Sequence, residues 1–335
     1  MEKDKVLEVK NLKVFFNNHG KSLKAVQDVS FDLNRGEILA IVGESGSGKS
    51  VTAQSIIGIT EDFKREGRII YKDLDLLSLS EREMGHIRGS KIGMVFQNYS
   101  SSLNPTMKIG KQIGEVLIKH QNLSKKEAIK KSIKILEKVG IKNPENWYHQ
   151  YPHQLSGGMG QRVMIAIALA CNPDILICDE PTTALDKNNQ RQIIKLLKEI
   201  QVNLSTSIIF ITHDLNLINN FAQRLLIMYG GLIVERGPAD IVERYPSHPY
   251  TKGLYNSILK KGLKAKTKLY TIEGSPPDLT DLTDGCPFFH RCKHSMKICQ
   301  NTMAKEFEVG TGHRVSCWLY HPLCLKNGKG EKDFG

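Results

Sequence analysis

GESGSGKS, Gly43 to Ser50, directly follows the apolar run Ile38-Leu39-Ala40-Ile41-Val42 and precedes Val51 to Ile59, which reads as a helix. G-x-x-x-x-G-K-S between a strand and a helix is the pattern of a phosphate-binding loop. Gly43, Gly46 and Gly48 leave room for backbone N–H groups to converge on phosphate, with Glu44, Ser45 and Ser47 between them. The loop opens a helix at Val51 whose N-terminus carries partial positive charge. Lys49 is placed to reach β- and γ-phosphates, and Ser50 to ligate Mg²⁺. The competing reading, a plain glycine turn, is disfavoured by the placement after ILAIV.

A phosphate loop predicts a carboxylate at the end of another buried strand. Ile175-Leu176-Ile177-Cys178-Asp179-Glu180 supplies it. Asp179 is expected to hold Mg²⁺ through its water shell, and Glu180 to polarise an attacking water near the γ-phosphate. A second cradle follows from Leu155-Ser156-Gly157-Gly158, at the start of a helix that continues to Ala170. One γ-phosphate hardly needs two cradles in the same chain. The economical reading is that Ser156, Gly157 and Gly158 serve a nucleotide held by a partner chain.

The rest of the chain is consistent with a large α/β domain plus an appendage. It has 335 residues, 40% of them hydrophobic and 24% charged, as ordinary globular proteins do. The net charge of +12 suits nucleic acid or an anionic surface, but also a merely solvated Lys-rich face. The N-terminal MEKDKVLEVKNLKV carries acidic residues and no long apolar region, so it is not read as a signal peptide. No window approaches the roughly 18 apolar residues of a membrane helix, and the expectation is a cytosolic chain. Val6 to Phe16 alternates like a strand, and a second run extends from Leu23 to Leu33. From about residue 106 to 170 the pattern turns helical, with Ser124 and Glu127 at capping-box spacing and Gly140 closing that helix. Leu225–Tyr229, Gly230-Gly231 and Leu232–Glu235 read as a hairpin. KKGLKAKTK, residues 260–268, reads as a linker.

The ordered motifs resemble the ATP-binding cassette (ABC) family. They are the loop at 43–50, Gln97 in VFQN, LSGG at 155–158, the pair Asp179-Glu180, Ala184-Leu185-Asp186, and His213 after IIFIT. The resemblance implies a P-loop NTPase of the ABC type, with a helical subdomain and a small Cys-rich C-terminal extension. It places the nucleotide-binding domain at 1–245, and the linker and Cys-rich segment at 246–335. It also implies a head-to-tail dimer closing on two ATP molecules. His213 is then expected to contact the γ-phosphate, Gln97 to join Ser50 and Asp179 around Mg²⁺, and Phe16 to stack on adenine. More closely, the chain resembles the ATPase subunits of bacterial dipeptide and oligopeptide importers, with nickel importers as near relatives. Ser102-Leu103-Asn104-Pro105, His248-Pro249-Tyr250-Thr251, Gly274-Ser275-Pro276-Pro277, Gly285-Cys286-Pro287-Phe288 and Arg291-Cys292 carry that likeness. The expected partners are a homologous second ATPase subunit, two integral membrane permeases and an extracytoplasmic peptide-binding protein. The expected place is the cytoplasmic face of the membrane. A soluble cassette ATPase acting on nucleic acid is the alternative from another class; such proteins usually carry two cassettes or a coiled-coil insertion, and neither is present. Gly160 departs from the family, which usually has arginine or another longer residue there. A glycine at that position loosens the helix start by about 0.5–1 kcal/mol and removes a possible contact between subunits.

Cys286, Cys292, Cys299 and Cys317 lie in a segment too short to make much of a core alone, and such segments generally need a staple. Spacing alone does not choose between iron–sulfur and Zn²⁺, because neither a short zinc knuckle nor a tight ferredoxin run is present. The family resemblance points to a [4Fe–4S] cluster on these four, while four free thiols are the bland alternative. Cys178 reads as a small buried hydrophobe.

Overall fold

The structure, a computed structural model, describes residues 4–18, 21–59, 63–258, 271–280 and 282–326. The 260–268 segment read as a linker lies outside the described residues. In chain order the strands are β1 (Lys5–Asn18), β2 (Lys21–Asn34), β3 (Ile38–Val42), β4 (Phe63–Tyr71), β5 (Leu74–Asp75), β6 (Ile92–Val95), β7 (Ile175–Asp179), β8 (Ser207–Thr212), β9 (Arg224–Tyr229), β10 (Leu232–Pro238), β11 (Phe307–Gly310) and β12 (His313–Val315). Among the helices are α1 (Lys49–Ile57), α2 (Glu81–Ile87), α3 (Tyr99–Ser102), α4 (Ile109–Gln121), α5 (Lys125–Lys138), α6 (Pro144–Tyr148), α7 (Gly157–Ala168), α8 (Lys187–Leu204), α9 (Ala239–Arg244) and α10 (Pro249–Ser257).

The main sheet runs β11-β12-β10-β9-β3-β8-β7-β6, and its β9-β3-β8-β7-β6 part is parallel. Those strands are short apolar runs because both of their faces are covered. Successive residues of β7 and β8 serve opposite faces. Ile175, Ile177, Ile209 and Ile211 pack toward α1 and the antiparallel sheet β2-β1-β4-β5. Leu176, Cys178, Ile208 and Phe210 pack toward the helices. Cys178 is fully buried, as a small hydrophobe would be. On the β9–β10 side, Tyr229 and Tyr250 pack with Phe288.

The helical region is held by its own layer, in which Ile113 and Leu117 of α4 join Ala128 and Leu136 of α5. The capping box forms: the Glu127 N–H donates to Ser124 Oγ, and the Ser124 N–H donates to Glu127 Oε2 at 2.9 Å. Gly140 follows α5 at φ +78°, a left-handed stop that suits glycine. The β9–β10 hairpin turns through Gly230 and Gly231, both at positive φ, as a two-residue hairpin turn requires. Among the described residues no helix is long and apolar enough to cross a membrane.

Candidate active site

β3 delivers the 43–50 loop to the edge of a cavity of about 760 Å³. Close approach explains its glycines: a Cβ on Gly43 would lie 2.2 Å from the Met228 carbonyl oxygen, and one on Gly48 would lie 2.6 Å from that of Ala25. Gly48 also stands at φ +96° as the N-cap of α1, where no side chain caps the helix. The first N–H groups of α1 are therefore free of a side-chain cap, which leaves them open to an anion. Lys49 is buried, and its Nζ donates to the carbonyls of Gly43 and Glu44, both at 2.8 Å. Burial draws this ammonium below its ordinary pKa, while the carboxylates of Glu180, Asp179 and Glu44 oppose that shift.

The acidic pair closes the other side. Ser50 Oγ donates to Asp179 Oδ1 at 2.9 Å, joining the loop to the end of β7. Asp179 is buried, and burial raises its pKa; the Ser50 hydrogen bond works against the rise and nearby Glu180 adds to it. A carboxylate so placed is better suited to a cation than to solitude, and hydroxyl, carboxylate and amide oxygens are the donors a hard cation takes. At Glu180 the chain leaves β7 at φ +45°, a strained conformation for a residue with a side chain. The Glu180 N–H donates to the Ile211 carbonyl at 3.0 Å and holds the bend. Its Oε2 accepts from Gln97 Nε2 at 3.1 Å and from Thr183 Oγ1 at 2.8 Å, and His213 Nδ1 lies 3.2 Å away. Gln97, Glu180 and His213 are thus brought together across three strand ends. Sequence reading missed Thr183, since a hydroxyl three residues after a carboxylate carries no distinct signal.

Phe16 lines the same cavity and packs edge-on against Phe63, with ring centroids 3.8 Å apart. Ser45, Gly46, Ser47 and Val51 line it too. Leu254 and Leu279, from beyond the expected domain boundary, complete the wall.

Ser156, Gly157 and Gly158 are not part of this cavity. Ser156 caps the start of α7 by position, makes no side-chain cap bond and is exposed. Gly158 is pressed against Asn189, whose Oδ1 would lie 2.7 Å from an added Cβ. Asp186 of the 184–186 stretch is the N-cap of α8, accepting from the N–H groups of Asn188 and Asn189 at 2.9 and 3.0 Å. Gly160 has a reason within its own chain: a Cβ there would meet the Tyr99 ring at 2.2 Å, and the residue is buried.

Residues 26–183 match the family model described as ABC transporter, and residues 234–299 match the one described as Oligopeptide/dipeptide transporter, C-terminal region. The oligopeptide transport ATP-binding protein OppD of Bacillus subtilis is 49% identical over 321 residues, covering 95% of this chain and 90% of that protein. The dipeptide transport ATP-binding protein DppD of the same organism is 48% identical over 319 residues, covering 94% and 95%. The chain belongs to the family of ABC-type peptide-transport ATP-binding subunits. Among solved structures, the ATP-binding cassette MJ0796, in a dimeric post-hydrolysis state bound to ADP and Pi, is similar with a TM-score of 0.64 and 30% identity. That match covers 70% of this chain and 98% of the other. The P-loop ABC fold with its helical subdomain is therefore established.

The metal expected in the tail of this peptide-transport subunit is not supported. Cys286, Cys292, Cys299 and Cys317 line one cavity of about 20 Å³, with Phe288 and Leu319 among its other walls. Among the described residues, however, no group of three or more His, Cys, Asp or Glu side chains could hold a metal ion. Neither the [4Fe–4S] cluster nor Zn²⁺ therefore stands, and the four cysteines form no disulfide. Burial pushes the thiols of Cys286 and Cys317 up to about 12, so both stay protonated at neutral pH. The staple expectation failed because the tail does not build its core alone. β12 pairs with β10, Phe288 packs on Tyr229 and Tyr250, and His313 Nε2 lies 2.7 Å from the fully buried Glu235 Oε1.

Proposed function

We propose that this chain binds ATP in the 43–50 cavity and hydrolyses it to power import of di- or oligopeptides, working in a pair with a homologous ATPase subunit. In this reading two membrane permeases and an extracytoplasmic peptide-binding protein complete the complex, and the chain sits peripherally on the cytoplasmic face. The cassette is residues 1–245, and 246–335 with its Cys-rich tail is an extension. Cargo selection lies outside this chain. The names of its relatives support the peptide reading.

The phosphates rest on the loop from Gly43 to Ser50, with Lys49 toward the β and γ groups and Phe16 against the adenine. Ser50, Asp179 and Gln97 would hold Mg²⁺, which neutralises phosphate charge when bound. Glu180 takes a proton from the attacking water as its oxygen bonds to the γ-phosphorus. The bond from that phosphorus to the bridging oxygen breaks, and ADP leaves with the electron pair. His213 and Thr183 hold the Glu180 carboxylate still while this happens.

One observation carries the paired reading: the cavity contains Lys49, Glu180 and His213, while Ser156 to Gly158 lie outside it. A nucleotide bound here is left, among the described residues, without the 156–158 cradle, which a second chain would supply. The test is sedimentation of Glu180→Gln protein, alone and with its homologous subunit, with and without Mg-ATP. Dimers that appear only with nucleotide are expected. Monomers throughout, at nucleotide concentrations that saturate binding, would refute the paired mechanism.

A further inference from the structure

Glu44 lines the nucleotide cavity and puts a negative charge into the phosphate loop, where charge repulsion opposes the binding of a polyphosphate. The chain beyond residue 246 holds it at two points. The Glu44 N–H donates to Tyr250 Oη at 2.8 Å. Its carboxylate takes a two-pronged contact from Arg291, with Nη1 to Oε2 at 2.7 Å and Nη2 to Oε1 at 3.2 Å.

This is no surface ion pair. The Arg291 side chain is only 7% exposed. Its remaining hydrogen bonds go to Tyr229 Oη at 3.0 Å, the Glu273 carbonyl at 2.9 Å and the Ile272 carbonyl at 3.3 Å. With the two bonds to Glu44 these contacts occupy the five donors that a guanidinium has. The ring faces of Tyr229 and Phe288 lie within 5.8 and 5.9 Å of its central carbon. Leu279 of the same C-terminal region lines the nucleotide cavity directly. An arginine held at all five donors is kept against the half-buried Glu44, and the loop carboxylate is paired.

We infer that Arg291 is a positioning residue for nucleotide: by neutralising Glu44 from the C-terminal region, it sets the affinity of the phosphate loop for polyphosphate. The inference rests on the reading that this cavity takes ATP. Without Arg291, the half-buried Glu44 becomes an unpaired negative charge on the wall of the cavity, where its repulsion of phosphate is no longer compensated.

The experiment is calorimetric titration of full-length protein with Mg-ADP, at low and high salt, with a thermal melt for each variant. Arg291→Gln is expected to weaken binding about tenfold. Raising ionic strength should shrink that loss, because screening relieves repulsion but does not restore packing. The double variant Glu44→Gln/Arg291→Gln should bind within about threefold of Glu44→Gln alone. Arg291→Lys, which keeps the charge, should bind more tightly than Arg291→Gln. An Arg291→Gln protein that binds like wild type overturns the inference. So does a loss that neither salt nor the double variant relieves, which would make Arg291 a packing brace. Should Arg291→Gln fail to fold, the double variant and Arg291→Lys supply the same comparison: the inference holds if the double variant folds and binds like Glu44→Gln, and falls if it does not. Wild-type protein that binds no Mg-ADP would instead defeat the underlying ATP reading.

Discussion

Glu180→Gln separates chemistry from binding. Three groups, from Gln97, Thr183 and His213, converge on Oε2 of Glu180, and among the described residues none donates to Oε1. That leaves one oxygen fixed and one available to a water, as a general base needs. Glutamine has the same length and the same backbone preferences, so the strained φ of +45° and the N–H bond to Ile211 should persist. What is lost is the basic oxygen. A positioned general base is worth about 10²–10⁴ in rate, which at about 1.36 kcal/mol per tenfold is roughly 2.7–5.4 kcal/mol of transition-state stabilisation. The loss should appear wholly in the chemical step. Single-turnover hydrolysis of γ-labelled ATP measures that step, while equilibrium titration and a thermal melt report binding and fold. A folded variant that retains more than a tenth of the wild-type single-turnover rate would refute the assignment of the base. Loss of binding in parallel with rate would show that Glu180 acts structurally.

Gly160→Arg should lower stability by about 1–3 kcal/mol, since the new Cβ would meet the Tyr99 ring at 2.2 Å and overpacking costs that much. Urea denaturation checks it, and Tyr99→Ala in the same chain should recover part of the loss. His248 supplies a pH dependence. Its ring is buried, and burial pushes its pKa from 6.5 down to about 3. Below pH 6.5 the unfolded chain takes up a proton that the folded ring refuses, so the stability from the neutral ring is complete above 6.5 and lost as pH falls toward 3. The slope contributed is at most about 1.36 kcal/mol per pH unit. His248 Nδ1 accepts from the Tyr250 N–H at 3.1 Å, and His248→Asn keeps such a cap without titrating. Urea midpoints from pH 6.5 to 4.5 should therefore fall less steeply in the variant, and an unchanged slope would place the acid sensitivity elsewhere.

Much of the site was legible because its rules are local. The 43–50 loop declares itself through glycine, lysine and serine at fixed offsets, and the Asp179-Glu180 pair through the apolar run that ends there. The capping box at Ser124 and the glycine turn at 230–231 depend on neighbours only a few residues away. Other features depend on partners that the sequence leaves far apart. Glu44 and Arg291 stand 247 positions apart, which hides their contact even though Arg291 belongs to a family motif. Gly160 looked like a loss at a subunit contact, since nothing in its surroundings in sequence announces the Tyr99 ring. Clustered cysteines imply a staple only for a small unit standing alone, whereas here β12 joins the sheet of the larger domain and shares its core.

That shared core has a physical corollary for the phosphate loop. Glu235 of β10, fully buried, accepts from the N–H groups of Ser247 and His248, both at 2.7 Å, and sits against His313 of β12. A buried carboxylate with three such partners ties β10, the start of α10 and β12 together. Tyr250, two residues beyond His248, then reaches the Glu44 backbone, and Arg291 reaches the Glu44 side chain. The tail and the loop are thus joined through hydrogen-bonded pairs on packed strands and helices. The C-terminal region therefore braces the phosphate loop at both the backbone and the side chain of Glu44.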